Sequence, residues 1–450
     1  MRKLSRKVCK NRGEMLSKMK EIAKKLKNEH NFLIYAMGLA LIVFSITLIR
    51  AATTAITWDE AYTYVAYAKD FNLSQLIDIH SNLANNHILN TIMIAIVDKL
   101  CDLPYNEFMI RLPNIIMLVF YLMGSYKIAK DEKHRYLLFS GLILNYYVME
   151  FFGLGRGYGI ATSFIIWMCY FFKKAATKNY DDRNIFISVI LGILACYANT
   201  VSILALFSIC VIYLIQLIRK KEVIPFIKRN ILKIIPLAVL LIYIIIFHFI
   251  VTGSDKPVFG GTGEAKGMSI LGFLERNFVW MFVENATINI IVSIIGIIGL
   301  VGSIVVFRKE IKEKPFFSSM IILLLAIIIP SALLHKPYLI ERCLIPLWPI
   351  IVLGTVEIYT LWINKINSKI SILMTGCILL VLFFAFAIRI DIKTTRTWKN
   401  NYAVRDIAYQ ALYEQRTLTE EEYEENKNFY GLNFYRTKIL EQYGFDIVQK

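Results

Sequence analysis

Apolar residues in this chain gather in Ile/Leu/Phe/Val runs of about 17 to 22 positions, too long for the stripe of a soluble amphipathic helix or the alternation of a strand. A helical run of that length crosses the roughly 30 Å hydrocarbon core of a bilayer. The pattern predicts spans over 32–50, 108–127, 136–152, 158–173, 185–199, 201–218, 232–251, 287–307, 316–334, 343–362 and 370–389, about eleven in all. The apolar stretch from His87 to Leu100 is too short to span and carries Asn90 and Asp98, so it predicts a juxtamembrane or half-inserted helix. The expected fold class is an all-α polytopic membrane protein with juxtamembrane amphipathic helices in its first outer loop.

Composition agrees, with 57% hydrophobic residues, and it excludes a soluble enzyme, a disordered chain and a disulfide scaffold. The net charge of +17 does not point to nucleic acid, because the cations sit in short connectors between apolar runs. With a cytoplasmic N-terminus, the inner segments carry 31 of the 51 lysines and arginines, as the positive-inside rule requires. This parity divides the chain into a basic cytoplasmic segment 1–31, a transmembrane domain 32–389 and a small outward C-terminal segment 390–450. The domain includes outer loops 51–107 and 252–286. The apolar run after the basic segment lacks a small-residue cleavage signature and reads as an uncleaved anchor. The seven cysteines are scattered without CxxC spacing, so neither a disulfide framework nor a zinc site is indicated. No phosphate-binding loop or dinucleotide fingerprint is present, which places any chemistry on the outer face.

The outer loops hold the polar residues that call for a purpose. Thr57 followed three residues later by Glu60 is a capping-box pattern, so a helix should begin at the acidic pair, with capping and catalysis as rival roles for Glu60. Trp58, Tyr62, Val65 and Ala66 share one face, which predicts a helix lying at the membrane surface. Asp59 is tolerated by the helix dipole but not required by the cap. It follows a span closely, at headgroup level, where a carboxylate can take the proton of an attacking hydroxyl. Arg156 and Arg342 are expected at outer ends of spans, with Lys336 near Arg342, and such cations either snorkel to headgroups or hold a phosphate. Glu150 lies in an aromatic span end, where an ionisable residue usually faces a cavity or a partner. His87 opens the short helix, either capping it or touching sugar or phosphate, and Tyr158 is expected as an interface aromatic. The Gly-rich loop 253–267 is a candidate lid.

The TWDEAYTYVAYAKD segment after the first span, the NNHILNTIMIAIV helix and NEFMIRLPNIIMLVFYLMGSYKIAK together resemble the opening of the GT-C superfamily of polyprenyl-phosphate-sugar-dependent glycosyltransferases. The likeness is nearest to the protein O-mannosyltransferase and lipid A aminoarabinose transferase group. Arg111 to Asn114 is similar to that family's RLPS-type span start, GRGYGIA from Gly155 to its aRxY corner, and HKPYLIERCLIPLWP from His335 to its RYLLPLxP segment. The resemblance implies transfer of a sugar from a polyprenyl-phosphate donor to an envelope glycan, lipid or protein outside the membrane, by an inverting displacement that is metal-independent or weakly metal-linked. It implies Asp59 as base with Glu60 beside it. The chain departs from the family pattern in two places: the acid nearest the aRxY corner is Glu150, six residues before Arg156, and the outer turn after the fifth span has Asn199-Thr200 where the family commonly has His. The expected set is therefore Asp59, Glu60 and Glu150 for catalysis, and Arg156, Tyr158, His87, Lys336, Arg342 and Asn199 for substrate or phosphate. Asp59 and Glu150 are the pair that would hold a divalent cation. The competing readings are a flippase or transporter of a lipid-linked glycan, and a glycan polymerase.

Overall fold

The structure, a computed structural model, describes residues 2–78, 87–101, 105–178, 180–253, 272, 286–333, 341–395 and 401–448. The expected lid 253–267, all but its first residue, and His335 and Lys336 lie outside the described residues. Among the described residues the chain is helical throughout, with no strand.

Helix α1 (Arg2–Thr53) carries the basic segment and the first apolar run as one unbroken helix. The first loop then folds as α2 (Trp58–Thr63), a π-turn (Tyr64–Ala68), α3 (Leu73–Ile77) and α4 (Ile88–Cys101). Helix α5 (Glu107–Ala129) starts where the Asn106 side chain accepts from the Phe108 and Met109 amides. Helices α6 (Arg135–Ile143) and α7 (Tyr146–Glu150) are two pieces bent by 52°. The break falls at Asn145, whose side chain caps α7 through the Val148 amide, 3.2 Å away. Then come α8 (Gly157–Thr177), α9 (Asp182–Ala198), α10 (Ile203–Arg219), α11 (Val223–Gly253), α12 (Ala286–Val306), α13 (Pro315–Leu333), α14 (Trp348–Ile363) and α15 (Ser368–Ile388).

Seven helices among the described residues are long and apolar enough to cross a membrane, or eight if the bent α6–α7 pair is one span. The expected spans 158–173, 185–199 and 316–334 do form helices, α8, α9 and α13, but none is among the seven. Helix α9 runs for only 17 residues and α8 has Lys173 and Lys174 near its end, and both carry buried polar residues: Thr162 and Ser163 on α8, Asn184 and Ser188 on α9. The Ser163 hydroxyl donates to the Met117 carbonyl of α5 at 2.7 Å, and the Ser188 hydroxyl to the Met168 carbonyl at 3.0 Å, so these polar groups join helices. Outside the bundle the chain is apolar: Leu232 is 85% exposed and Ile372 74%. Apolar side chains turned outward over entire helix faces match a lipid solvent rather than water.

The C-terminal segment is a second packing unit. Of its helices α16 (Asn401–Tyr413), α17 (Glu420–Asn426) and α18 (Tyr430–Tyr443), α16 and α18 share a core with the first loop, in which Ile56, Ala61 and Tyr64 meet Ala408, Leu432 and Phe434. The Tyr435 hydroxyl accepts from the Ile56 amide at 2.9 Å, and Lys438 pairs with Glu107 at 2.5 Å. Trp58 and Tyr62 stack at 5.4 Å and meet the Tyr430 edge, at 5.3 and 4.8 Å. The aromatic face of α2 thus meets α18 through Tyr430, while Trp58, Tyr62, Val65 and Ala66 stay half-buried. Helix α17 is solvated and capped by Thr419, as its acidic run predicts.

Candidate functional site

The capping box predicted at Thr57 is formed. The Thr57 hydroxyl accepts from the Glu60 amide, and Glu60 Oε2 accepts from the Thr57 amide at 2.8 Å. Glu60 does more than cap. Its two oxygens take the Arg111 fork at 2.8 and 2.9 Å, and Oε1 also accepts from the Gly155 amide at 2.6 Å. The remaining Arg111 donors go to the carbonyls of Ala51, Thr54 and Ala55, at 3.0, 2.7 and 3.0 Å, which are the open carbonyls at the end of α1. Glu60 and Arg111 are completely buried. A desolvated guanidinium of this kind is tolerable because every N–H has an acceptor. Burial pushes the Glu60 carboxyl up, but Arg111 and the Gly155 and Thr57 amides outweigh it and hold the group below the usual carboxylate range. With every lone pair engaged, Glu60 is a framework residue, and the catalytic role weighed for it from the sequence has no free acceptor to act through.

What the framework positions is Arg156. The Gly155 amide is held by Glu60, and the Gly155 carbonyl accepts from the Asn90 side chain at 3.0 Å; Asn114 in turn donates to Asn90 at 3.1 Å. This corner leaves Arg156 extended at the N-cap of α8. Gly157 is required there, because a Cβ would lie 1.8 Å from the Ala198 carbonyl oxygen, at the end of α9.

From that corner the Arg156 guanidinium reaches α2. It donates to the Thr63 hydroxyl at 3.0 Å, lies 3.5 Å from Asp59 Oδ2 and contacts His87 Nε2 at 3.1 Å. Arg342, from the Glu341–Leu347 turn before α14, reaches the same Asp59 Oδ2 at 3.2 Å. Asp59 and Arg156 are buried, while the Arg342 side chain keeps 14% exposure. Burial and the positive charges of Arg156 and Arg342 push the His87 imidazole well below its ordinary value, so the ring is neutral and Nε2 can accept from Arg156. The Tyr158 ring meets His87 edge-on at 5.1 Å. Asn199 caps the turn Thr200–Ser202 through the Val201 amide, 3.1 Å away, and this turn packs on the Glu341–Leu347 segment.

Of the residues expected from the sequence, Asp59, Arg156, Arg342, His87 and Tyr158 converge, and Asn199 supports the wall beside Arg342. Glu150 stands apart. It pairs with Arg50 at 3.7 Å, and Arg50 also donates to the Tyr146 hydroxyl. Asp59 and Glu150 are thus each engaged by arginines of their own, and among the described residues no three His, Cys, Asp or Glu side chains converge as a metal set. The sequence reading missed Thr63, Asn90 and Asn114. Asn90 and Asn114 were visible as polar residues within otherwise apolar helices, whereas Thr63, at the end of α2, carried no such signal. No protein-family model, no curated protein and no solved structure matches this chain.

Proposed function

We propose that the protein is an integral membrane glycosyltransferase that moves a sugar from a polyprenyl-phosphate donor to a cell-envelope acceptor outside the cell membrane. The observation that carries the reading is one carboxylate oxygen, Asp59 Oδ2, held between two guanidiniums, 3.5 Å from Arg156 and 3.2 Å from Arg342. Two guanidinium forks from separate elements converge on one buried point, and a phosphate is the group such a pair of forks fits.

The chemistry follows from that arrangement. The acceptor hydroxyl attacks the anomeric carbon from the face opposite the phosphate. The bond from that carbon to the phosphate oxygen breaks, its electron pair leaves with the lipid phosphate, and configuration inverts. Arg156 and Arg342 stabilise the growing charge on the phosphate. The hydroxyl proton passes to Asp59. Neutral His87 accepts from Arg156 and orients it, and the Glu60–Arg111 pair fixes the corner from which Arg156 projects.

Eleven membrane crossings fit this reading. The ends of α1 and α15 meet, where the Thr53 hydroxyl donates to the Ile392 carbonyl at 2.6 Å, so both helices run toward the site and an odd number of crossings is needed. Counting the α6–α7 pair as one crossing and adding α8, α9 and α13 to the apolar seven gives that number. A flippase would distribute ionisable groups along a path through the bilayer. Among the described residues the fully buried charged side chains Arg50, Asp59, Glu60, Arg111, Glu150 and Arg156 instead gather at one end, which favours transfer over transport.

The test is reconstitution in liposomes with a short-chain polyprenyl-phosphate sugar, following release of the lipid phosphate and formation of the glycoside. The wild-type chain should catalyse both, and Asp59→Asn, still folded by thermal melting, should lose at least a hundredfold in rate. Undiminished transfer by that variant would falsify the base assignment.

A further inference from the structure

Helix α2 has three faces, and two of them are engaged. Ala61 and Tyr64 turn into the core shared with the C-terminal unit, while Asp59, Glu60 and Thr63 hold the ion pairs and hydrogen bonds of the site. The third face carries Trp58 and Tyr62, continued by Val65 and Ala66 of the π-turn, and all four are half-buried. Tyr62 lies three residues from Asp59, which is about 60° around the helix at about 100° per residue. A molecule that brings a hydroxyl to the Asp59 carboxylate from this side passes over aromatic rings.

The rings hold one another in place. Trp58 and Tyr62 stack 5° from parallel at 5.4 Å, and Tyr67 meets the Tyr62 ring edge-on at 5.7 Å. Tyr430, at the start of α18, meets Trp58 and Tyr62 at 5.3 and 4.8 Å, so the C-terminal unit supplies part of the surface. The Tyr62 and Tyr67 hydroxyls lie 3.4 Å apart beside the rings. Burial and the Tyr67 hydroxyl push the Tyr62 phenol above its ordinary value, which keeps it a neutral hydrogen-bond partner. Lys427 and Asn428, just before Tyr430, are exposed, so the surface borders water. Flat apolar rings edged by neutral hydroxyls complement a pyranose, which has C–H bonds on one face and hydroxyls around its rim. An acyl chain would leave the phenols without partners. The strand edge that takes up an extended peptide is missing among the described residues.

We propose that Trp58, Tyr62 and Tyr430 form a platform for a pyranose ring of the acceptor, which makes the acceptor a neutral glycan rather than a lipid or a protein. The apolar face of the sugar rests on the rings, and its hydroxyl is delivered to Asp59 one residue along the same helix. The inference rests on the glycosyl-transfer reading for the role of Asp59, and it gives the C-terminal unit a part in the site through Tyr430.

Saturation-transfer NMR of the full chain in nanodiscs, with maltotriose, mannotriose, triacetylchitotriose and a short Ser/Thr peptide as probes, tests this without requiring turnover. At least one trisaccharide should receive saturation, strongest on the C–H protons of one ring, and the peptide none. Trp58→Leu, which keeps apolar bulk but removes the flat ring, should weaken that sugar's binding about tenfold, and Tyr430→Leu carries the same test if Trp58→Leu does not fold. In the liposome assay these variants should raise the KM for the same sugar about tenfold and leave the donor KM at its wild-type value. Saturation of the peptide alone, of no trisaccharide, or of a trisaccharide whose binding ignores both substitutions overturns the platform, even where the wild type releases lipid phosphate. Sugar binding that tracks Trp58 or Tyr430 in a chain that releases no lipid phosphate upholds the platform and overturns the transfer reading instead.

Discussion

Asp59 Oδ2 and Arg342 Nη1 lie 3.2 Å apart although 283 positions separate them in the chain. Their meeting joins the first loop to the turn before α14, and it places the second guanidinium where Arg156 already stands. A buried carboxylate shared by two arginines is a costly arrangement unless the charges serve each other or a ligand. The chain reaches it by fixing each partner with a different device: a capping box for Asp59, a glycine corner for Arg156 and a short 3₁₀ segment for Arg342.

On the proposed function, the two arginines should be separable from Asp59 by kinetics. Arg342→Lys keeps a charge but loses the fork, and the loss of one charge-assisted hydrogen bond, about 1.5–3 kcal/mol, corresponds to a donor KM raised roughly ten- to a hundredfold. Initial rates against donor concentration at saturating acceptor measure this. A donor KM that stays at the wild-type value, with only the acceptor KM altered, counts against phosphate binding by Arg342.

Breaking the Glu60–Arg111 pair should destabilise the fold more than it alters chemistry. Glu60→Gln leaves a fully buried guanidinium without its counter-charge, at a cost of about 3–5 kcal/mol, and Arg111→Met leaves Glu60 similarly stranded. The double variant Glu60→Gln, Arg111→Met should lose less than the two single losses added together, because the stranded charge is absent. Thermal unfolding in detergent reads all three, and strict additivity would show that the pair does not act as a unit.

Stability should fall on acidification in two stages. The His87 ring is held neutral in the fold, so below its unfolded value of about 6.5 the unfolded chain binds a proton that the folded chain refuses. Stability is then complete above about pH 6.5 and declines by about 1.4 kcal/mol per pH unit below it, until the depressed folded value is reached. Glu60, whose folded value is also depressed, adds a second loss only below about pH 4.3. Melting temperatures across pH 4 to 8 should show the upper slope in the wild type and its absence in His87→Gln. An unchanged slope in that variant would assign it to another group.

Gly157→Ala should disrupt the corner although it adds a single methyl group. The methyl would lie 1.8 Å from the Ala198 carbonyl oxygen, so α8 and α9 have to part. The expected outcome is a lowered melting temperature and lost transfer together, checked by melting and the liposome assay on the same preparation. Gly38→Ala, with open space around its position, is the control and should leave both unchanged.

Much of the site was legible because its elements are local. The Thr57-to-Glu60 spacing encodes a cap within four residues, and the cap places Asp59 in the first turn of α2. Arg156 was legible because glycines flank it at the start of an apolar run. Glu150 was expected to face a cavity or a partner, and its pairing with Arg50, 100 positions away, is one that no local pattern announces. The contact of the α2 aromatic face with Tyr430 was not legible for a related reason: Tyr430 lies more than 360 positions away, and no local pattern announces such a partner.

By itself the sequence determined the helical, membrane-like character of the chain, the start of α2 and the residue types able to hold a phosphate. These depend on run length, hydrophobicity and spacing, which are properties of neighbouring residues. The tertiary structure decided which charges pair. A carboxylate takes whichever cations packing brings within about 4 Å, and in a medium with little water each buried charge must be matched, so the choice between Arg50, Arg111, Arg156 and Arg342 was made by how the helices close around them.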